Sequence, residues 1–371
     1  MVLKTTSKGD LTMKKMHRVA IIGCGGIAGN KHMPNLKRIE NVEMVAFCDI
    51  IKERAEKACA VYGSADAKVY TDYKEVLKDE SIDIVHVCTP NREHSFITID
   101  ALESGKDVYC EKPMAKTVKE AEAMLDAAKR TGKVLTIGYN NRQNQDVQFV
   151  KKACDAGELG DIYYAKALAL RRRAVPTWGV FMDKEEQGGG PLIDIGTHAL
   201  DMTLWAMDNY KPKMVVGTKY KKLFYEGGSG NPWGNWDPET FEVEDSAFGF
   251  ITMENGATIV LESSWSINMV ECKEATMVLC GDKAGADNLD GGRINGVKHG
   301  MQYTENTGVA AKASFFDAED DDAVYRDIEQ WIKALDNGVS PCVLPEQALV
   351  VSKILEAIYE SSETGKPVYF D

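Results

Sequence analysis

Apolar and polar positions follow two different rhythms along this chain, and the change falls near Gly138. Before it, short apolar runs at 19–22, 42–48, 68–70, 82–88, 107–110 and 134–138 read as strands, each too brief for a buried helix. Helical patterns lie between them. The clearest covers 117–130, where Thr117 and Glu120 make a capping box and Gly132 lies just past the end. Its positions Val118, Ala121, Leu125 and Ala128 share one apolar face. Strand and helix in alternation predict a parallel, doubly wound sheet, whose ligands lie across the carboxyl ends of the strands. Beyond Gly138 the strands lengthen, to 162–171, 213–223, 246–253, 257–266 and 276–280, with helices at 146–156 and 194–207. Asn255-Gly256 between two of them is a hairpin signal. That part reads as an α+β domain with a large, open, mostly antiparallel sheet, one face of which needs covering. Helices at 322–336 and 346–362 close the chain, the first preceded by an acidic run, Asp317 to Asp322, that favours a helix N-terminus.

The first strand runs into Gly23, Gly25 and Ala28, a G-x-G-x-x-A turn. Gly23 makes the tight turn, Gly25 lets backbone approach a phosphate, and Ala28 is small enough for close helix–strand packing. The N–H groups of Gly26 and Ile27, at the helix start, face the anion. The second strand ends in Asp49, about 20 residues on, where a carboxylate meets an adenosine ribose. The pattern predicts a Rossmann-type dinucleotide site that prefers NAD, because Asp49 repels a 2′-phosphate. The expected domains are a disordered leader at 1–16, the NAD-binding domain at 17–138 and a substrate-binding and oligomerisation domain at 139–371. The C-terminal helices either extend the last or pack back on the first.

Composition narrows the partners. The 371 residues carry a formal net charge of −13, which argues against nucleic acid or an anionic membrane and leaves a neutral small molecule open. No run is long enough to span a bilayer, and the basic N-terminus has no apolar core behind it. The nine cysteines are scattered without C-x-x-C spacing, which fits reduced thiols in the cytoplasm, and the six histidines show no zinc-type spacing, so no metal is expected.

Chemistry-bearing residues cluster at strand ends. Cys88, Thr89, Pro90 and Asn91, with His94, follow the fourth strand; Glu111-Lys112-Pro113 follow the fifth; Tyr139, Asn140 and Arg142 follow the sixth. Lys112, pinned between a strand and a proline, is a fixed cation. Asp194 and His198 are four apart and share a helix face. Arg171, Arg172 and Arg173 precede Trp178, which with Trp233 and Trp236 could stack on a sugar or fill a core. Each of these has an ordinary reading as a surface lysine, a capped pair or a sheet edge.

Taken together, GCGGIA, Asp49, CTPNREH, EKP, GYNNR and GGGPLIDIGTHALD resemble the Gfo/Idh/MocA oxidoreductases, which include glucose–fructose oxidoreductase and inositol dehydrogenase. The resemblance runs from about Arg18 to the end. It implies that Lys112, Asp194 and His198 are catalytic. It places the cofactor on Gly23, Gly25, Gly26, Ile27, Ala28, Asp49, Cys88, Thr89, Pro90, Asn91, His94, Glu111, Lys112 and Arg142. It places the substrate on Lys112, Tyr139, Asn140, Arg173, Trp178, Asp194 and His198. RRRAVPTWG and NPWGNWDPETFEVED are similar to members acting on sugars and glycosides, C-glycoside 3-oxidoreductases among them. The implied activity is hydride transfer between a secondary hydroxyl of a sugar or glycoside, C3 leading, and NAD. An inositol dehydrogenase and an NAD-dependent glycosidase of the same fold are the rivals; a non-catalytic NAD-binding regulator would not need Lys112 and His198. A homo-oligomer is expected, and some members keep NAD between turnovers.

Overall fold

The computed structural model describes residues 3–5, 11–13, 15–306 and 323–370. The chain divides into two compact units. One comprises Met1–Ala115, Lys119–Gly138 and Val324–Leu349, the other Lys116–Val118, Tyr139–Ala323 and Val350–Asp371. Strands β1 (Leu3–Thr5) and β2 (Leu11–Met13) pair antiparallel, so part of the expected disordered leader is a short ladder of strand-forming Leu and Thr.

The first unit is built on six parallel strands: β3 (His17–Ile22), β4 (Val42–Cys48), β5 (Lys68–Tyr70), β6 (Ile84–Val87), β7 (Asp107–Cys110) and β8 (Leu135–Ile137). Their spatial order is β5-β4-β3-β6-β7-β8, so the winding reverses between β3 and β6. Ligands of open α/β sheets bind outside the strand ends at such a switch point. Val19, Ile21, Phe47 and Ile84 are buried because a parallel sheet is covered on both faces. Helices Lys52–Tyr62, Asn91–Glu103 and Val118–Thr131 alternate with the strands as the apolar periodicity predicts. A fourth helix, Ala323–Asn337, comes from far along the chain and seats Ile328, Trp331 and Ile332 in the same core as Phe47 and Tyr109. The first of the two C-terminal helices thus belongs to this unit. The acidic run before it lies outside the described residues.

The second unit carries nine strands. They are β9 (Ile162–Leu170), β10 (Pro212–Tyr220), β11 (Ser246–Met253), β12 (Thr258–Ser264), β13 (Thr276–Gly281), β14 (Gly285–Asp287), β15 (Arg293–Lys298), β16 (Met301–Asn306) and β17 (Val368–Tyr369). The order is β16-β15-β14-β13-β9-β12-β11-β10-β17, and every pair is antiparallel except β12 with β9. Gly256 turns the β11–β12 hairpin at φ +89, and Asn255 accepts a hydrogen bond from the Ala257 N–H at 3.1 Å. Small residues on one face, Ala165, Ala167 and Ala169, are fully buried, and helix Thr197–Met207 packs on that strand. Ile358 of helix Pro345–Thr364 sits against Gly217 and Gly249 on the same face. The opposite face presents Val216, 38% exposed, beside its cross-strand partner Phe250, 46% exposed.

Candidate active-site groups

In the first unit the predicted cofactor residues converge at the switch point. Gly23 adopts φ +88, and a Cβ there would come within 2.6 Å of the Cys88 carbonyl oxygen, so only glycine fits between the two turns. Around Gly25 and Gly26 an added Cβ would meet nothing within 4 Å, which leaves their backbone open to a ligand. Asp49 is buried, with Oδ2 accepting from the Cys24 N–H at 2.9 Å and Oδ1 from the Ile51 N–H at 2.8 Å. The carboxylate therefore lies beside the glycine turn. These residues fit a dinucleotide: a glycine turn, open backbone at a helix start, and a carboxylate at the end of the neighbouring strand.

The Cys88–Asn91 turn abuts Gly23, and the Thr89 hydroxyl is buried with no partner among the described residues. The two ring nitrogens of His94 lie 2.8 Å from the Pro113 carbonyl and 3.0 Å from the Thr89 carbonyl, and it is 1% exposed. It ties the two turns together. Glu111 likewise turns its carboxylate inward. His32 Nε2 lies 2.8 Å from Glu111 Oε1, and the Lys112 N–H donates to Oε2 at 3.1 Å. Burial pushes this carboxyl up, but the His32 hydrogen bond and the nearby charges of Lys31 and Lys112 outweigh it and hold it at about 2. Lys112 lies two residues past the end of β7, after Glu111.

In the second unit, Asp194 and His198 do not lie on one regular α-helix. Leu192–Gly196 is a wider π turn, closed by the Thr197 N–H donating to the Leu192 carbonyl, and the α-helix begins at Thr197. Trp265, fully buried, donates from Nε1 to Asp194 Oδ2 at 3.0 Å. The Tyr139 hydroxyl bonds Thr197 Oγ1 at 2.7 Å, and its ring meets His198 edge-on at 6.1 Å. Tyr139 thus supports the helix that carries His198. The glycine run ahead of Asp194 needs its glycines, because a Cβ on Gly189 would strike the Tyr359 hydroxyl and one on Gly190 the Glu244 carbonyl. Glu244 accepts from the N–H groups of Gly190, at 3.0 Å, and Leu192, at 3.2 Å. Glu244 and Trp265 were not singled out from sequence. Glu244 stood within the run FEVED, but nothing local marks its carboxylate as a cap for residues 52 to 54 positions away.

Arg142 is fully buried and forks onto Asp201, with Nε to Oδ2 at 2.9 Å and Nη2 to Oδ1 at 2.6 Å. Trp236 donates to the Phe224 carbonyl at 2.6 Å and packs on Phe241, a core position. Arg173 is held by Glu226 at 3.1 Å and Asn268 at 2.7 Å. Arg171 pairs with Glu274 and lies over the Trp233 ring, 5.1 Å from its centre. Trp178 is 42% exposed and meets Trp233 edge-on at 5.0 Å. Asn140 is nearly buried in the short turn Asn140–Gln143. Among the described residues no three His, Cys, Asp or Glu side chains could hold a metal.

Residues 17–139 match the model of the oxidoreductase family with an NAD-binding Rossmann fold, and 151–370 match the C-terminal alpha/beta domain of the oxidoreductase family. The chain belongs to the Gfo/Idh/MocA family of NAD-binding oxidoreductases. It is 38% identical over 351 residues to a D-glucoside 3-dehydrogenase of Escherichia coli K12, covering 95% of this chain and 97% of that one. It is 25% identical to the scyllo-inositol 2-dehydrogenase (NAD(+)) of Bacillus subtilis 168, over 97% and 98% of the two chains. A solved NAD-binding protein from Listeria innocua superposes with a TM-score of 0.74 at 26% identity, over 96% of this chain and 97% of that one.

Proposed function

We propose that this protein oxidises a ring secondary hydroxyl of a sugar or glycoside, at C3 in the leading case, and passes the hydride to NAD. The observation that carries the reading is the 38% identity to a D-glucoside 3-dehydrogenase along nearly the whole of both chains. Bound NAD supplies the hydride acceptor. His198 takes the hydroxyl proton as general base, since imidazole changes charge near neutrality. As the C–H bond breaks and the carbonyl forms, Lys112 donates a hydrogen bond to the oxygen where negative charge develops. Asp194, oriented by Trp265, receives a neighbouring substrate hydroxyl. Trp178 offers an aromatic surface to the sugar ring.

A cyclitol is the second reading, supported by the likeness to scyllo-inositol 2-dehydrogenase. The apolar sheet face around Val216 and Phe250 supports association of two copies of the chain, and nine cysteines scattered without C-x-x-C spacing support a reducing compartment such as the cytoplasm.

Substitution tests the roles. His198→Ala and Lys112→Ala should each lower kcat at least ~100-fold while NAD affinity changes little. The oxidation rate should rise with pH through one ionisation that His198→Ala removes. A folded His198→Ala protein turning over within a few-fold of the parent would reject the assignment.

A further inference from the structure

The core of the first unit holds a row of polar groups that the reaction as described does not use. His32 ends the turn Ala28–His32 that follows the glycine motif, and it is 1% exposed. Its Nε2 faces Glu111 Oε1 at 2.8 Å, and its Nδ1 faces Nδ1 of fully buried His86 at 2.9 Å. His86 stacks flat on Tyr109, with ring centres 4.9 Å apart and planes 2° apart. The other Glu111 oxygen accepts the backbone N–H of Lys112.

Proton accounting fixes the central link. The Glu111 carboxylate only accepts, so His32 Nε2 carries a hydrogen and donates. Two facing Nδ1 atoms need one hydrogen between them. Either His86 donates it to a neutral His32, or a charged His32 donates at both edges. In both cases the His32 ring is held on two sides, and Nε2 of His86 is left without a partner among the described residues. Two imidazoles and a carboxylate in an apolar core are costly compared with a hydrophobic filling of the same volume. A cluster serving stability alone would not need that arrangement, nor need to end on the backbone of Lys112.

We propose that His32 is a positioning residue for Lys112. It holds the Glu111 carboxylate, which holds the Lys112 backbone, and so it joins the helix bearing the glycine turn to the cation at the end of β7. The inference rests on the reading of Lys112 as the donor to the reacting oxygen.

The test compares His32→Ala, His32→Gln and Glu111→Gln in the full-length protein. Four quantities are measured: kcat and KM for the sugar, NADH affinity by fluorescence, the melting midpoint, and hydrogen exchange at the Lys112 amide. His32→Ala should lower kcat ~10–100-fold with KM within about 3-fold, because a misplacement of about 1 Å at a reacting group costs up to that much. Exchange at the Lys112 amide should quicken at least ~10-fold, a readout independent of turnover. His32→Gln, whose amide can donate to the same carboxylate, should recover kcat to within about 5-fold. Glu111→Gln keeps the side-chain volume and should also lose ~10-fold in kcat, since its NH2 must face a donor on one side. Unchanged kcat and amide exchange in the folded variants, or equal losses in His32→Ala and His32→Gln, would overturn the inference. Lys112→Ala is the control. If it keeps kcat within a few-fold, the catalytic reading fails; if it is inactive while His32→Ala is normal, only the positioning role fails.

Discussion

Single residues divide into those whose role is written in their neighbours along the chain and those whose role is set by distant ones. Gly23, Gly25 and Asp49 belong to the first kind, because a tight turn, an open backbone and a strand-end carboxylate are local requirements. Asp49 yields a prediction at this scale. NAD should support faster turnover than NADP, since the carboxylate repels a 2′-phosphate, and Asp49→Ala should narrow the ratio of kcat/KM for the two cofactors. Comparable turnover with NADP in the parent protein would sink it. Arg142 belongs to the second kind. It follows a strand as a ligand residue would, yet Asp201 holds it in a fork. That partner is 59 residues away, beyond any local pattern.

Elements were legible wherever one face carried a clear apolar period. The 246–253 strand is observed as Ser246–Met253, and the helix expected at 117–130 is Val118–Thr131. Strands β14 to β17 escaped because they are short or polar: Arg293–Lys298 reads RINGVK and lies near an edge of the sheet, where alternation is weak. The π turn at Leu192–Gly196 escaped too, since the spacing of Asp194 and His198 suits a regular helix as well. Helix Ala323–Asn337 carries the prediction here. Trp331 is fully buried in the first unit's core, so Trp331→Ala should cost about 3–5 kcal/mol, the usual loss for a large buried aromatic. Urea denaturation measures it, and a loss under 1 kcal/mol would mean that the helix does not close that core.

For the whole molecule, composition bears on the class of partner. A net charge of −13 disfavours anionic partners, and no described helix is long and apolar enough to cross a membrane. The two-part architecture and the family were legible in the motifs; the partner of the exposed sheet face was not, because a flat apolar patch names no occupant. If a second copy covers Val216 and Phe250, Phe250→Glu should shift the protein to a smaller species in sedimentation velocity while leaving it folded. An unchanged sedimentation coefficient would assign that face elsewhere. The central claim is hydride transfer from a sugar carbon to NAD. Its most direct test supplies a methyl glucoside deuterated at C3 with NAD+, and follows both products by mass spectrometry and NMR. The account predicts deuterium in the reduced cofactor and a 3-keto glycoside in equal amount. Unlabelled NADH, or turnover of inositol with none of the glucoside, would contradict it.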